Sequence, residues 1–523
     1  MSLELVRETI KVNRVISKDS TQTIVENDII VPDTKPDISR ILLFDGEVVV
    51  NNTQITRDKA LIDGSLNYKI LYLSDDEEQR IKSINSSTNF SQSIDIGEAD
   101  PGFRCIAKCD IEHIDYGIVN SRKVNVKTIV KADYKIASEG EQDIVNDLRG
   151  IDDVQTLKSG TSLNCYVGSG EGTYTVSESM EVPAGKPPVK ELLRSDIKVT
   201  GKDYKITDNK VVAKGELNVS MLYIGDDETR SIQFMEHEIP FTQLIDLNGV
   251  SEDSVCRVDF KVMDSKLEAG EDSDGELRTV HGDIVLGVMV EGYEKRNVEL
   301  VEDAYSTGMA INLEKEVFVM EEAVAENRSQ VVLKDTVAIN EESPEIAEVF
   351  NVLCKPSLSE YRVLEDKLVL EGSVFNNVLY LTNREEEPVY CHQQEIPFKQ
   401  NIDIKGIKPE MACEVALDID HCNYSMVSSS EVEVRLVIGV DLRFVNQVKV
   451  PLIVKAVEQP LDEYRIASQP SLVIYFAQPG DNLWKVAKRY YTTIEDIKRV
   501  NNLAEKEHLA VGQQLIIPRK SKA

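Results

Sequence analysis

The stretch "LIDGSLNYKILYL", residues 61–73, decides the fold because the chain contains it three times. It returns as "VVAKGELNVSMLYI" (211–224) and "LVLEGSVFNNVLYL" (368–381). Aligned on Gly64, Gly215 and Gly372, the copies place Tyr72, Tyr223 and Tyr380 in register. Phe90, Phe241 and Phe398 follow, the last two inside "EIPF". Upstream, Val31, Val182 and Ile339 match, as do Pro36, Pro187 and Pro344. Downstream, Cys105, Cys256 and Cys413 match. Ungapped agreement over this span is the mark of internal repetition, and it defines three homologous modules.

Each module reads as β. Apolar residues recur at every second position, at Leu66, Tyr68, Ile70 and Tyr72 in the first copy and at Leu217, Val219, Met221 and Tyr223 in the second. A period of two buries one face of a strand. "LSDDEE" and "IGDDET" follow directly and predict hairpin turns. The runs at 124–136, 283–293 and 432–445 are β-branched and nearly continuous, so they predict central strands covered on both faces. A glycine inside a strand predicts a bulge or a close backbone approach. Many short strands without a long helical pattern give a mainly β fold, with a sandwich preferred to a barrel.

The boundaries that follow are 1–137 for the first β module, 138–297 for a linker and the second, and 298–457 for a linker strand and the third. Residues 458–470 read as a linker, and 471–523 as a small C-terminal domain. Within these, 138–160 predicts a short acidic helix, 313–330 a strand with a connection, and 266–282 a long acidic loop.

The chain has 523 residues and a formal charge of −32. Residues 475–523 oppose this trend, with nine Lys/Arg against five Asp/Glu. An acidic body argues against nucleic acid and anionic membranes as partners. No apolar run approaches the roughly 18 residues of a membrane-spanning helix. The first residues lack the continuous apolar stretch of a standard export signal. Eight sparse cysteines suit a reducing compartment.

No catalytic constellation is legible. Cys109 corresponds to Phe260 and Leu417 in the other copies, so its position belongs to a core, where free Cys acts as a small hydrophobe. The pairs at 391–392 ("CH") and 421–422 ("HC") have irregular spacing for metal ligands, and the other copies do not repeat them. "GSGEG" (168–172) has no helix N-terminus after it, unlike a phosphate loop, and reads as an ordinary loop. The expectation is a non-enzyme with no cofactor and no metal.

From residue 473 the pattern changes. "VIYFA" predicts a short strand and "QPGD" a turn. Asp481 or Asn482 is placed to cap a helix whose inner face is Leu483, Val486, Ala487 and Tyr490. Thr493 with Asp496 opens a second helix, with Ile494, Ile497 and Val500 inward. "QQLIIP" supplies a closing strand. The order is βααβ, with Leu483, Trp484, Ile497 and Leu515 as core and Trp484, the only Trp, as its anchor.

These residues resemble the LysM module: "PGDNLWKVAKRY" (479–490), "IEDIKRVNNL" (494–503) and "VGQQLIIP" (511–518). The resemblance implies a binding groove for N-acetylglucosamine glycans such as peptidoglycan. Gly480, Asp481 and Asn482 would line one side, and Ala510, Val511 and Gly512 the other. Asn482, Tyr491 and Val511 depart from the common Thr/Ser, Gly and Pro, which weakens the case for glycan but not for the fold. With "VPDTKPDISRIL" (31–42) and the "G…LY" strands, the repeats resemble the SPOCS family of clostridial spore-coat morphogenetic proteins. That resemblance implies a non-enzymatic scaffold in the mother-cell cytoplasm at the forespore surface. It implies coat proteins as partners, above all SpoIVA, the coat's basement ATPase, reached through the LysM module. A peptidoglycan-binding structural protein is the alternative.

Overall fold

The three tyrosine phrases form the middle strands of three small sheets. A computed structural model describes residues 3–76, 80–97, 100, 102–228, 230–340, 342–384, 387, 389–460, 472–503 and 509–518, with backbone only at 320–323. The first module contains β1 (Glu4–Ile30), β2 (Ile38–Ile55), β3 (Lys59–Ser74), β4 (Ile81–Asp95), β5 (Phe103–Asn120) and β6 (Lys123–Arg149). They make two antiparallel three-stranded sheets, ordered β1-β6-β5 and β2-β3-β4. The second module repeats this with β7 (Val154–Glu181), β8 (Val189–Thr207), β9 (Lys210–Gly225), β10 (Ile232–Asp246), β11 (Val255–Gly270) and β12 (Thr279–Ser306). The third uses β13 (Met309–Ala338), β14 (Ile346–Leu364), β15 (Lys367–Thr382), β16 (Val389–Asp403), β17 (Ala412–Ser428) and β18 (Glu431–Pro460). In each module the two sheets enclose one apolar core, the arrangement of a sandwich.

The repeated residues meet one another. Tyr72, Tyr223 and Tyr380 are fully buried. Each hydroxyl donates to the carbonyl of the matched proline: Pro36 at 2.9 Å, Pro187 at 3.1 Å and Pro344 at 2.9 Å. The bond satisfies the one polar atom of a ring that otherwise contributes apolar burial. The glycines pair across the strands with the matched phenylalanines: Gly64 with Phe90, Gly215 with Phe241 and Gly372 with Phe398. The ring lies over the glycine so closely that a β-carbon at Gly64 would stand 2.6 Å from it. This is the close approach that the strand glycine predicted.

The modules also share a core. On the second face of the tyrosine strands, Leu71, Leu222 and Leu379 meet in one cluster with Leu43, Leu193 and Phe350. The antiparallel ribbons β1–β6, β7–β12 and β13–β18 run past their own sandwiches and pack together. There the equivalent residues Ile144, Leu300 and Leu452 converge. Bulged residues at Ile16, Val167 and Val324 mark the change on β1, β7 and β13. One extra residue shifts the pleat by one, so a different face of the ribbon points inward beyond it. The result is an approximate threefold assembly of one chain.

Several sequence expectations need correction. The span 138–160 forms no helix: 138–149 completes β6 and 154–160 begins β7. Ile144 and Val145 face separate clusters on the two sides of the ribbon, so neighbouring ribbons outweigh local helix preference. Residues 313–330 are strand throughout, and 168–172 form no loop but lie within β7, paired with β12. The acidic loop shrinks to 271–278, because β11 and β12 reach in from both sides. β6, β12 and β18 are the central strands of their sheets, but only one face is fully buried, with Ile129, Val285 and Val437 half-buried on the other. The 458–470 linker begins inside β18, at Glu458–Pro460, and the rest lies outside the described residues.

Candidate functional site

The C-terminal domain forms β19 (Val473–Phe476), α1 (Leu483–Arg489), α2 (Ile494–Val500) and β20 (Gln514–Ile517), with β19 and β20 antiparallel. Asn482 caps α1, its side-chain oxygen accepting from Lys485 N at 2.8 Å. Asp481 plays a different part. It accepts from Gln478 N at 2.9 Å and from the Tyr475 hydroxyl, closing the turn before the helix. The Tyr475 hydrogen bond is the main cause holding the Asp481 carboxyl below its usual range. Thr493 caps α2, accepting from Asp496 N at 3.0 Å. Val500 is not inward: it is 41% exposed, while Ile497 is buried, and the inward position four residues after Ile497 belongs to Asn501, whose side chain bonds Ile516 N and O of β20.

The two loops assigned to a groove lie side by side. Gly512 N donates to Ala477 O at 2.8 Å, and Ala477 N donates to Gln513 O at 2.9 Å. Ala510 N donates to the Gln513 side chain at 2.9 Å. Gly480 and Gly512 both adopt positive φ, where a side chain would be strained. Gly480, Asn482, Ala510, Val511 and Gly512 are exposed, and Asp481 is half-buried. Leu483, Trp484, Ile497 and Leu515 are buried in one cluster.

Tyr491 explains itself. It sits at φ +52°, just beyond α1. Its N–H bonds Lys488 O, and Thr492 N bonds Ala487 O, the pattern that closes a helix with a left-handed residue. Glycine adopts this conformation without steric cost. Tyr491→Gly is therefore expected to stabilise the domain by about 1 kcal/mol, read as a higher melting temperature of the Trp484 fluorescence transition.

Trp484 anchors more than its own domain. Its indole N–H donates to Asp303 Oδ2 at 2.9 Å, and its ring meets Tyr305 edge-on at 4.9 Å. Lys488 binds the other oxygen of Asp303 at 2.5 Å, and the Tyr305 hydroxyl donates to Thr492 O at 2.8 Å. The helical face is thus seated on the end of β12. Asp303 and Tyr305 escaped the sequence reading because they belong to another module, 180 residues upstream, and carry no local signature.

Burial opposes the charge of Asp303, but hydrogen bonds from Lys488 and Trp484 outweigh it and hold its carboxyl below the usual range. The seat therefore gains stability above the ordinary carboxylate pKa and loses it as pH falls through the lowered value. Asp303→Ala removes an acceptor of two hydrogen bonds, at a cost of about 1–3 kcal/mol. The expected result is a red-shifted Trp484 emission with the body's melting unchanged.

The body carries little reactive chemistry. Burial pushes the Cys105 and Cys256 thiols up to about 11 and Cys413 to about 12. Among the described residues no group of three His, Cys, Asp or Glu side chains is placed to hold a metal, and no helix is long and apolar enough to cross a membrane.

Comparison with family models matches this architecture. The model described as SipL, SPOCS domain, matches residues 37–119, 188–269 and 345–427, and the LysM domain model matches 475–518. Each SPOCS match covers the strands from β2 to β5 or their equivalents; β1 and β6, the first and last strands of the module, lie beyond it. The chain is a tandem SPOCS-domain protein ending in a LysM domain. Both kinds of domain bind rather than catalyse. Three SPOCS domains followed by one LysM is the architecture of SipL, a family of spore-coat morphogenesis. Comparisons with curated proteins and with solved structures found no match.

Proposed function

We propose that this chain is a non-enzymatic coat-assembly adaptor that docks on a SpoIVA-like basement ATPase through its LysM domain, on the mother-cell side of the forespore. The outer face of β19 carries the reading. Leu472, Ile474 and Phe476 point away from the helices and stay about half exposed. An apolar strip of this kind beside cationic helices suits an acidic protein surface better than a sugar chain. Lys485 and Arg489, exposed on α1, supply the positive charge. The three-module body would then hold the LysM domain at a fixed position and present its acidic faces to other coat proteins.

Glycan binding is the second reading, favoured by the adjacency of the 480–482 and 510–512 loops. Affinity capture from sporulating cells tests both, comparing the full chain with one ending at residue 468. Loss of the coat ATPase with the tail supports the adaptor. Retention of the ATPase, with loss only of N-acetylglucosamine oligomer binding, transfers the role to glycan.

A further inference from the structure

Two cysteines of the third module face each other across its sandwich. Cys354 lies on β14, in the small sheet, and Cys422 on β17, in the large one. Their sulfurs are 3.4 Å apart, and each thiol also lies 3.7 Å from Val352 O. Cys354 is buried and Cys422 half-buried. Tyr424, two residues on, ties the same strands by donating to Phe350 O at 2.9 Å. The two backbones are thus already held together at this point.

The repeat shows that the facing is a property of the fold, whereas the thiols belong to one copy. The equivalent positions are Gly46 and Ile114 in the first module, and Ile197 and Ser265 in the second. In the first, a β-carbon at Gly46 would lie 3.4 Å from the Ile114 side chain. The strand bulge just before the site recurs at Glu112, Met263 and Asp420. The first two modules therefore fill this junction without any thiol, and only the third places two within bonding reach.

We propose that Cys354 and Cys422 are a redox-responsive pair that forms a disulfide and clamps the two sheets of the third module together. The co-reactant is a small disulfide such as oxidised glutathione. Cys422, the more accessible sulfur, attacks it as the thiolate, releases one glutathione thiolate and forms a mixed disulfide. Cys354 then loses its proton and attacks the Cys422 sulfur, expelling the second glutathione. Two protein thiols and one glutathione disulfide become one protein disulfide and two glutathione thiols. The hydrogen bond from Cys354 also holds the Cys422 thiol below its ordinary pKa, consistent with that order.

The test uses the intact full-length protein, incubated with oxidised glutathione and then mapped by differential alkylation and mass spectrometry. The expected product is a Cys354–Cys422 linked peptide, with the other six cysteines still free. Because the bond closes a loop of nearly seventy residues, melting of the body should rise by on the order of 5–10 °C and return on reduction. In Cys354→Ser the resolving thiol is absent, and one glutathione should remain on Cys422. The proposal is overturned if both wild-type thiols still alkylate after treatment, or if glutathione stays on wild-type Cys422 without passing to Cys354.

Discussion

Gly372→Val is expected to destabilise the third module by about 3 kcal/mol or more, among the largest effects of any single strand substitution in the chain. A β-carbon there would lie 2.4 Å from the Ser357 carbonyl oxygen and 2.7 Å from the Phe398 ring. The ring can turn aside, but the carbonyl belongs to the neighbouring strand and cannot move without breaking the ladder. The repeat provides an internal gradient. At Gly64 the nearest carbonyl, of Val49, is 2.7 Å away; at Gly215 the carbonyl of Thr200 is 3.2 Å away and the Phe241 ring is the closer contact. Valine should therefore cost most at position 372, less at 64 and least at 215. Melting curves with hydrogen exchange resolved by module would read the order, and equal costs at all three would refute the backbone explanation.

Arg194→Met is expected to cost about 3–5 kcal/mol, by stranding the buried Asp196 carboxylate. Arg194 is almost fully enclosed between the first and second modules. It reaches Asp196 at 2.6 Å and Asp45, across the junction, at 2.8 Å. Lys69 of the first module also meets Asp196, at 3.2 Å. Burial works against ionised Asp196, yet Arg194 and Lys69 hold its carboxyl below the ordinary value. Its contribution is thus fully present above the unfolded carboxylate pKa and fades as pH falls through the folded one. In Arg194→Met the main counter-charge is gone, so the variant should be least impaired in acid, where Asp196 protonates. A melting deficit that did not shrink on acidification would contradict this account. The positions equivalent to Arg194 are Leu43 and Asn351, so the network marks one junction of three and distinguishes otherwise similar neighbours.

Much of this was legible in the sequence. The glycine, tyrosine, proline and phenylalanine registers defined the modules, and strand period two placed Leu66 and Tyr68 inside. The helical spacing of Leu483, Val486 and Ala487 gave α1. What stayed hidden depends on contacts between modules. The run Ile70-Leu71-Tyr72-Leu73 is apolar on both faces, a sign that the far side is covered, but nothing local says by what; Leu222 and Leu379 supply the cover. Ile144, Val145 and Leu148 imitate a helical stripe because ribbons bury them from two sides. Asp481 looked like a cap because the turn that engages it depends on Tyr475, which packs from the strand before.

The meeting of the three long ribbons also sets a timetable for synthesis. Each sandwich can close as soon as its own six strands exist, even though β1 must wait for β6, more than a hundred residues later. The shared cluster of Ile144, Leu300 and Leu452 cannot close until β18 has been made. There β1, the first strand of the three-module body, finally meets β18, its last: Leu3 N reaches Glu458, and Arg7 donates to Val454 O at 3.2 Å. A nascent or prematurely terminated chain therefore carries folded modules with sticky, unfinished ribbons, the kind of surface that chaperones and proteases recognise.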